Sequence, residues 1–205
     1  MQQHAVTAAG PPATKVLLDG EAIRRTLSRI AHEIIERNDD LDDVALVGIH
    51  TRGVPLAARL RRLIQERAAV ELPVGQLDIT FHRDDVSVRG GRDAAFTPPG
   101  RAQPVVRDSR LDFELEGRTA ILVDDVLYTG RTIRAAIEAL FAYGRPDRVQ
   151  LAVLADRGHR ELPIRPDYVG KNLPTARGER VQVQLVEVDE IDRVLLVSEA
   201  EEGSE

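Results

Sequence analysis

The sequence has no cysteine among its 205 residues. Disulfides and thiolate metal sites are excluded, which fits a reducing compartment. No apolar run approaches the ~18 residues of a membrane helix, and the opening stretch MQQHAVTAAGPPAT lacks the apolar core of a signal peptide. A soluble cytoplasmic protein is expected. Lysine is nearly absent: of 28 basic residues only Lys15 and Lys171 are lysines. The charge is carried by arginine, which grips phosphates bidentately, although codon bias or a heat-adapted surface would give the same excess. The net charge of −6 argues at first against a nucleic-acid partner. However, Glu199, Glu201, Glu202 and Glu205 lie together in the last eight residues, so local patches matter more than the total. With 42% apolar and 30% charged residues the composition is that of an ordinary globular chain, and the length suits one domain.

Residues 1–14 and the acidic tail 198–205 are expected to be disordered, leaving a single domain over 15–197. Ile23, Leu27, Ile30, Ala31 and Ile34 recur at helical spacing after Asp19, a plausible N-cap. VALVGI (44–49) reads as a buried strand, followed by a helix over 55–68 with Pro55 near its first turn. Further strands are expected over 75–82, 119–123, 149–155, 181–186 and 194–197, with a helix over 132–143 ended by Gly144 and Pro146. The segment 83–110 has no periodicity, and 156–175 is turn-rich. Alternating strands and helices predict an α/β fold, a parallel sheet flanked by helices.

Residues 121–133, ILVDDVLYTGRTI, run a hydrophobic strand into two aspartates, then a Tyr-Thr-Gly-Arg-Thr loop and a helix start. Adjacent carboxylates at a buried strand end repel unless a cation or hydrogen-bond donors join them, so a ligand is implied. Ligands of parallel sheets sit beyond the carboxyl ends of the strands. Gly130 permits a tight turn, the helix start offers N–H groups and partial positive charge, and Thr129 and Thr132 add hydroxyls. Together they make a cradle for a monophosphate. Neither GxxxxGK[ST] nor a GxGxxG after a strand occurs. Asp124 and Asp125 suit the two hydroxyls of a ribose, with Arg131 and Mg2+ offsetting their charge. Taken alone, the aspartate pair also fits a Walker-B-like metal site or a structural turn.

ILVDDVLYTGRT resembles the phosphoribosyl-pyrophosphate (PRPP) motif of type I phosphoribosyltransferases. SRIAHEIIERN (28–38), VGIHTRG (47–53) and ADRGHRELPIRPDYVGKNLPT (155–175) are similar to the PyrR family, pyrimidine-operon regulators that are also uracil phosphoribosyltransferases. The likeness runs from about Asp19 to Val197. It implies a type I phosphoribosyltransferase-like fold with a small hood and a lid loop. It also implies that uracil and PRPP give UMP and pyrophosphate with Mg2+ present, the metal held by Asp124 and Asp125 mostly through PRPP and water. Asp124, Asp125 and Arg52 would carry the catalysis. PRPP or UMP would be bound by Thr51 and Arg52, by the two aspartates, and by Val126, Leu127, Tyr128, Thr129, Gly130, Arg131 and Thr132. A strained or cis peptide is expected before Arg52. Uracil would enter under a hood made by Tyr168, Val169 and Gly170, an aromatic face stacking on the base, with Arg157 closing the site. The segment 83–110 would be the lid, with Arg83, Arg89 and Arg92 meeting pyrophosphate; a solvated loop is the alternative.

Two residues depart from the relatives. Tyr128 stands where purine-salvage enzymes carry an acid, and a phenol is a poor base near neutral pH, which disfavours a purine. His50 replaces a lysine found in some PyrR proteins. The first helix carries Arg25, Arg29 and His32 opposite its apolar stripe, with Ser28 at the flank. The resemblance implies that this face binds a hairpin in pyr mRNA through Ser28, Arg29, His32, His159, Arg160, Arg165 and Lys171, in a manner set by UMP or UTP. Whether control would act at transcription termination or at translation stays open. A homo-oligomer, a dimer or larger, is also implied. The alternative reading is a nucleotide-sensing RNA-binding regulator with negligible catalysis, and a weaker one is salvage of another base.

Overall fold

Asp19 closes the first strand and caps the first helix in the computed structural model, which describes residues 14–80, 109–176 and 178–198. Its carboxylate accepts the Ala22 N–H at 2.7 Å, satisfying one of the donors that a helix start leaves open. The strand is β1 (Thr14–Asp19) and the helix α1 (Gly20–Arg37). The chain continues as β2 (Val44–Ile49), α2 (Gly53–Ala68), β3 (Val74–Leu77), β4 (Thr119–Leu127), α3 (Arg131–Leu140) and β5 (Arg148–Asp156). It ends with β6 (Tyr168–Asn172), β7 (Glu179–Gln184), the short α4 (Val186–Asp189) and β8 (Arg193–Ser198).

Five strands form the expected parallel sheet, in the order β3-β2-β4-β5-β6. Alternation along the strands divides the core in two. Val44, Leu46, Ile121, Val123, Ala152 and Leu154 meet Ile23, Leu27, Ile30 and Ile34 of α1 and Leu56, Leu60 and Ile64 of α2. On the other face Val47, Ile49, Leu122, Leu151 and Val153 meet Ile133, Ala136 and Leu140 of α3. Each large aliphatic chain buried this way contributes about 1.5–3 kcal/mol, enough in sum to fix the register on both faces.

A second, antiparallel sheet of order β1-β8-β7 stands beside the first and, with α4, makes the hood. The sequence pattern missed β1, and the family resemblance placed the hood at 168–170. Those residues form β6, the edge strand of the main sheet, and the reading of 156–175 as turns is corrected there. Thr14 and Ser198, each expected in a disordered end, lie in β1 and β8. The expectations for 1–13, 199–205 and residues 83–108 of the lid, with Arg83, Arg89 and Arg92, lie outside the described residues, while Arg110, at the lid's expected end, bridges to Gln76.

Candidate active site

The strand carrying the two aspartates does not stop at Val123. β5 keeps pairing to the end, with Val126 opposite Ala155 and Leu127 opposite Asp156, so β4 includes both acids. Asp124 is 7% exposed. Its carboxylate accepts the Asp125 N–H at 2.9 Å, and the Asp125 carboxylate accepts the Val126 N–H at 2.8 Å. Burial pushes the Asp125 carboxyl above its ordinary pKa, against the opposite pull of the Val126 amide and the Arg52 charge. Beyond β4, Gly130 takes a φ of 93° as the residue preceding α3, a conformation that side chains other than glycine's resist. Its carbonyl accepts the Arg134 N–H at 3.0 Å.

The loop after β2 lies against these acids because two backbones touch. A Cβ on Gly53 would stand 2.2 Å from the Val123 carbonyl oxygen, so only glycine lets the start of α2 approach the end of β4. Arg52 is thereby set next to Asp125. The peptide His50–Thr51 is cis, one residue earlier than expected. Arg52 is paired bidentately with Asp189 of α4, Nε donating to Oδ2 at 3.1 Å and Nη2 to Oδ1 at 2.6 Å. That bond raises the Arg52 pKa and lowers that of Asp189. A cavity of about 490 Å³ opens here, lined by Arg52, Asp125, Arg180, Val181, Gln182, Val183 and Val197. β7 is an edge strand of the antiparallel sheet, and its residues 180–183 wall a space of ligand size.

The segment 157–164 braces the aspartate-side loop. The Thr129 carbonyl accepts the N–H groups of Glu161 and Leu162 at 3.0 and 3.1 Å. Arg131 is paired with Glu161 at 2.7 Å, so it does not offset the aspartates as expected; the cation whose charge reaches Asp125 is Arg52. Arg160 donates to the carbonyls of Tyr128 and Ile164, both at 2.8 Å, and to Asp156 at 2.6 Å. Arg157, 9% exposed, stacks 4.0 Å above the Tyr128 ring and donates to Thr175 Oγ1 at 3.0 Å and the Glu179 carbonyl at 2.5 Å. One guanidinium thus joins the aspartate-side loop, the β6–β7 connection and the start of β7. His159 meets Tyr128 edge-on, with ring centroids 5.7 Å apart, and its Nε2 lies 2.6 Å from the Thr175 carbonyl.

Two groups of expected roles change. Tyr168 is 0% exposed, so its ring offers no face to a base. Its hydroxyl donates to Gln150 Oε1 and accepts from Asn38 Nδ2, each at 3.0 Å, which makes it a core residue under α1. Gly170 also turns toward α1, where a Cβ would stand 2.7 Å from Thr26 Cγ2. The residues that line the cavity with Arg52 and Asp125, Arg180 to Val183, were missed. The strand expected over 181–186 overlaps β7, but nothing local marked it as a cavity wall.

Of the basic candidates outside the cavity, His32, Arg165 and Lys171 are exposed. Arg29 bonds Glu33 and the carbonyls of Val169 and Gly170, the latter two at 2.9 and 2.6 Å, and Ser28 accepts from Arg67 at 2.5 Å. Arg160 is turned inward. No group of three or more His, Asp or Glu side chains suited to a metal occurs among the described residues, and no described helix is long and apolar enough to cross a membrane.

Comparison with known proteins converges on one family. The phosphoribosyl transferase domain family matches residues 13–190. "Bifunctional protein PyrR" of Roseiflexus sp. is 55% identical over 184 residues, covering 89% of this chain and 94% of the relative. The protein of the same name from Brevibacillus brevis is 58% identical, covering 87% and 94%. Among solved structures, a hypoxanthine phosphoribosyltransferase from Staphylococcus aureus superposes with a TM-score of 0.62 at 19% identity, covering 91% and 93%. The Trypanosoma cruzi enzyme in complex with the product IMP gives 0.62 at 17%, covering 95% and 94%. At those identities the two structures speak for the fold alone. The strand that carries the two aspartates, the glycine-turned loop and the sequence relatives agree: this chain belongs to the phosphoribosyl transferase domain family and, within it, to the bifunctional PyrR proteins.

Proposed function

We propose that this chain transfers the 5-phosphoribosyl group of PRPP to uracil, giving UMP and pyrophosphate, and that it also binds pyr mRNA according to uridine-nucleotide supply. The observation that carries the first half is the meeting of Asp125, Arg52 and residues 180–183 of β7 around one cavity. Asp124 and Asp125 take the ribose hydroxyls. The 5-phosphate sits on the backbone of 126–132 at the start of α3, with the hydroxyls of Thr129 and Thr132. Arg52 and Thr51 face the pyrophosphate, with Arg180 as a further cation on the opposite wall. The edge of β7 supplies alternating N–H and C=O groups that match the donor and acceptors of the uracil ring.

The C1–oxygen bond breaks with its electron pair leaving on pyrophosphate, the N1–C1 bond forms, and the proton of N1 passes to the departing pyrophosphate. The protein orients the two reactants and meets the charge of the leaving group, so it needs no nucleophile of its own. The two aspartates offer hard oxygen ligands, too few for an all-protein site, which fits Mg2+ arriving on PRPP. Bound there, Mg2+ would neutralise charge on the pyrophosphate. Assays of nucleotide formation from PRPP with uracil, guanine, hypoxanthine and orotate test the reading: uracil alone is expected to give product at a substantial rate. A preference for a purine would overturn it.

For the RNA half the exposed residues His32, Arg165 and Lys171, with Arg29, are the proposed contacts, and binding falls steeply with salt. Formation of a homo-oligomer rests on the relatives alone.

A further inference from the structure

The edge of Arg52 best shaped to take a phosphoryl group is already used. Its Nε and Nη2 form a fork to both oxygens of Asp189, with the two side chains 27% and 16% exposed. A carboxylate and a phosphoryl group present the same pair of oxygens to such a fork, so only one of them can hold it at a time. Asp189 is itself fixed, since its carboxylate also accepts the Leu185 N–H at 3.0 Å and its own N–H donates to the Leu185 carbonyl at 2.6 Å. The rest of this part of the hood has a separate anchor: Arg59 of α2 holds Glu187 and Asp192 through four hydrogen bonds of 2.6–2.9 Å. Release of Asp189 from Arg52 therefore leaves the hood attached.

We infer that Asp189 is a positioning residue that hands Arg52 to the incoming pyrophosphate group of PRPP and takes it back as pyrophosphate departs. This rests on the assignment of the cavity to PRPP. No covalent bond changes in the exchange; one ion-pair partner replaces another. Asp189 keeps the loop bearing Arg52 in its working position while lowering affinity for the polyanion, which favours product release.

The test is calorimetric binding of inorganic pyrophosphate with Mg2+, together with steady-state kinetics, on the full chain and its Asp189→Asn variant. Asn keeps an oxygen for the Leu185 N–H but loses the charge and the two-oxygen fork. Pyrophosphate is expected to bind about 3- to 10-fold more tightly to the variant, the scale of losing one partly exposed ion-pair competitor. The KM for PRPP should fall in parallel, kcat should fall as release slows, and the KM for uracil should not move. Asp189→Ser, which also keeps an oxygen, gives the same readout if the Asn variant is unstable. If the parent chain binds pyrophosphate and the variants bind it equally or more weakly, Asp189 is only a structural tie and the handover is wrong. If the folded parent binds neither pyrophosphate nor PRPP, the cavity assignment itself fails.

Discussion

Single side chains decide what the site can hold, and Tyr168 is the sharpest case. An aromatic residue in a segment resembling a base-binding hood suggests stacking, but its ring is fully buried and its hydroxyl links Asn38 to Gln150. Burial raises its pKa further. Tyr168→Phe is therefore expected to cost about 1–3 kcal/mol of stability, the price of leaving buried polar partners unmet, while the KM for uracil stays unchanged. Denaturant unfolding and kinetics on the same variant check both; a raised KM with unchanged stability would restore the stacking role. Asp125 behaves oppositely. Its folded pKa is raised, mainly by burial, so ionisation costs stability above the unfolded value, and the cost grows as pH rises through the window up to the folded pKa. Asp125→Asn keeps an oxygen for the Val126 N–H and is expected to unfold at a temperature no lower than the parent at pH 7.

At the scale of elements, the loop between β5 and β6 has a task that a charge count does not reveal. Arg160 reads as a surface arginine in a basic stretch, yet its donors go to Tyr128, Ile164 and Asp156. Arg160→Ala should therefore raise the KM for PRPP by loosening the Tyr128 backbone, whereas Lys171→Ala should weaken RNA binding and leave the transferase rate unchanged. An Arg160→Ala enzyme with parental kinetics would contradict the bracing role. Sequence periodicity located α1, α2, α3 and the central strands because each carries an apolar face matched to one layer of the core. It missed β1, whose outer residues are mostly exposed, and β6, whose YVGKN has polar and glycine positions where a strand pattern expects apolar ones. Both lie at sheet margins, where pairing depends on distant partners: β1 on β8, and β6 on β5 with Arg29 and Arg37 of α1 donating to its outer carbonyls or to the carbonyl just before it.

Across the whole molecule, two sheets are joined by charge. Arg59 holds Glu187 and Asp192, and Arg52 holds Asp189, tying the hood to α2. Hydrogen bonds to arginine depress the pKa of Glu187 and Asp189; at Asp192 burial works the other way, but Arg59 outweighs it. Each contributes stability that is present above the unfolded value, about 4, and is lost as pH falls through the folded one. The melting-temperature gap between the parent and Arg59→Ala should thus be wide at pH 7 and shrink below about pH 4; a gap constant down to strongly acid pH would remove the cluster as its source. The motif ILVDDVLYTGRT made the half of the site proposed to hold phosphate and ribose legible, since strand, acids and loop are contiguous in the chain. The other half was not, because Arg180 lines the cavity and Asp189 pairs with Arg52 from the hood, far along the chain from the motif. The central claim is that Asp125 and the loop after it hold the ribose and phosphate of the nucleotide beside Arg52. Calorimetric binding of PRPP and of UMP, with Mg2+ present, to the parent and to Asp125→Asn tests it most directly. The account expects both ligands to bind the parent and to lose on the order of 10²-fold or more in affinity in the folded variant, the scale of removing charged hydrogen bonds to a polyhydroxyl ligand. Equal affinity in the two proteins, or no binding to the parent, would contradict it.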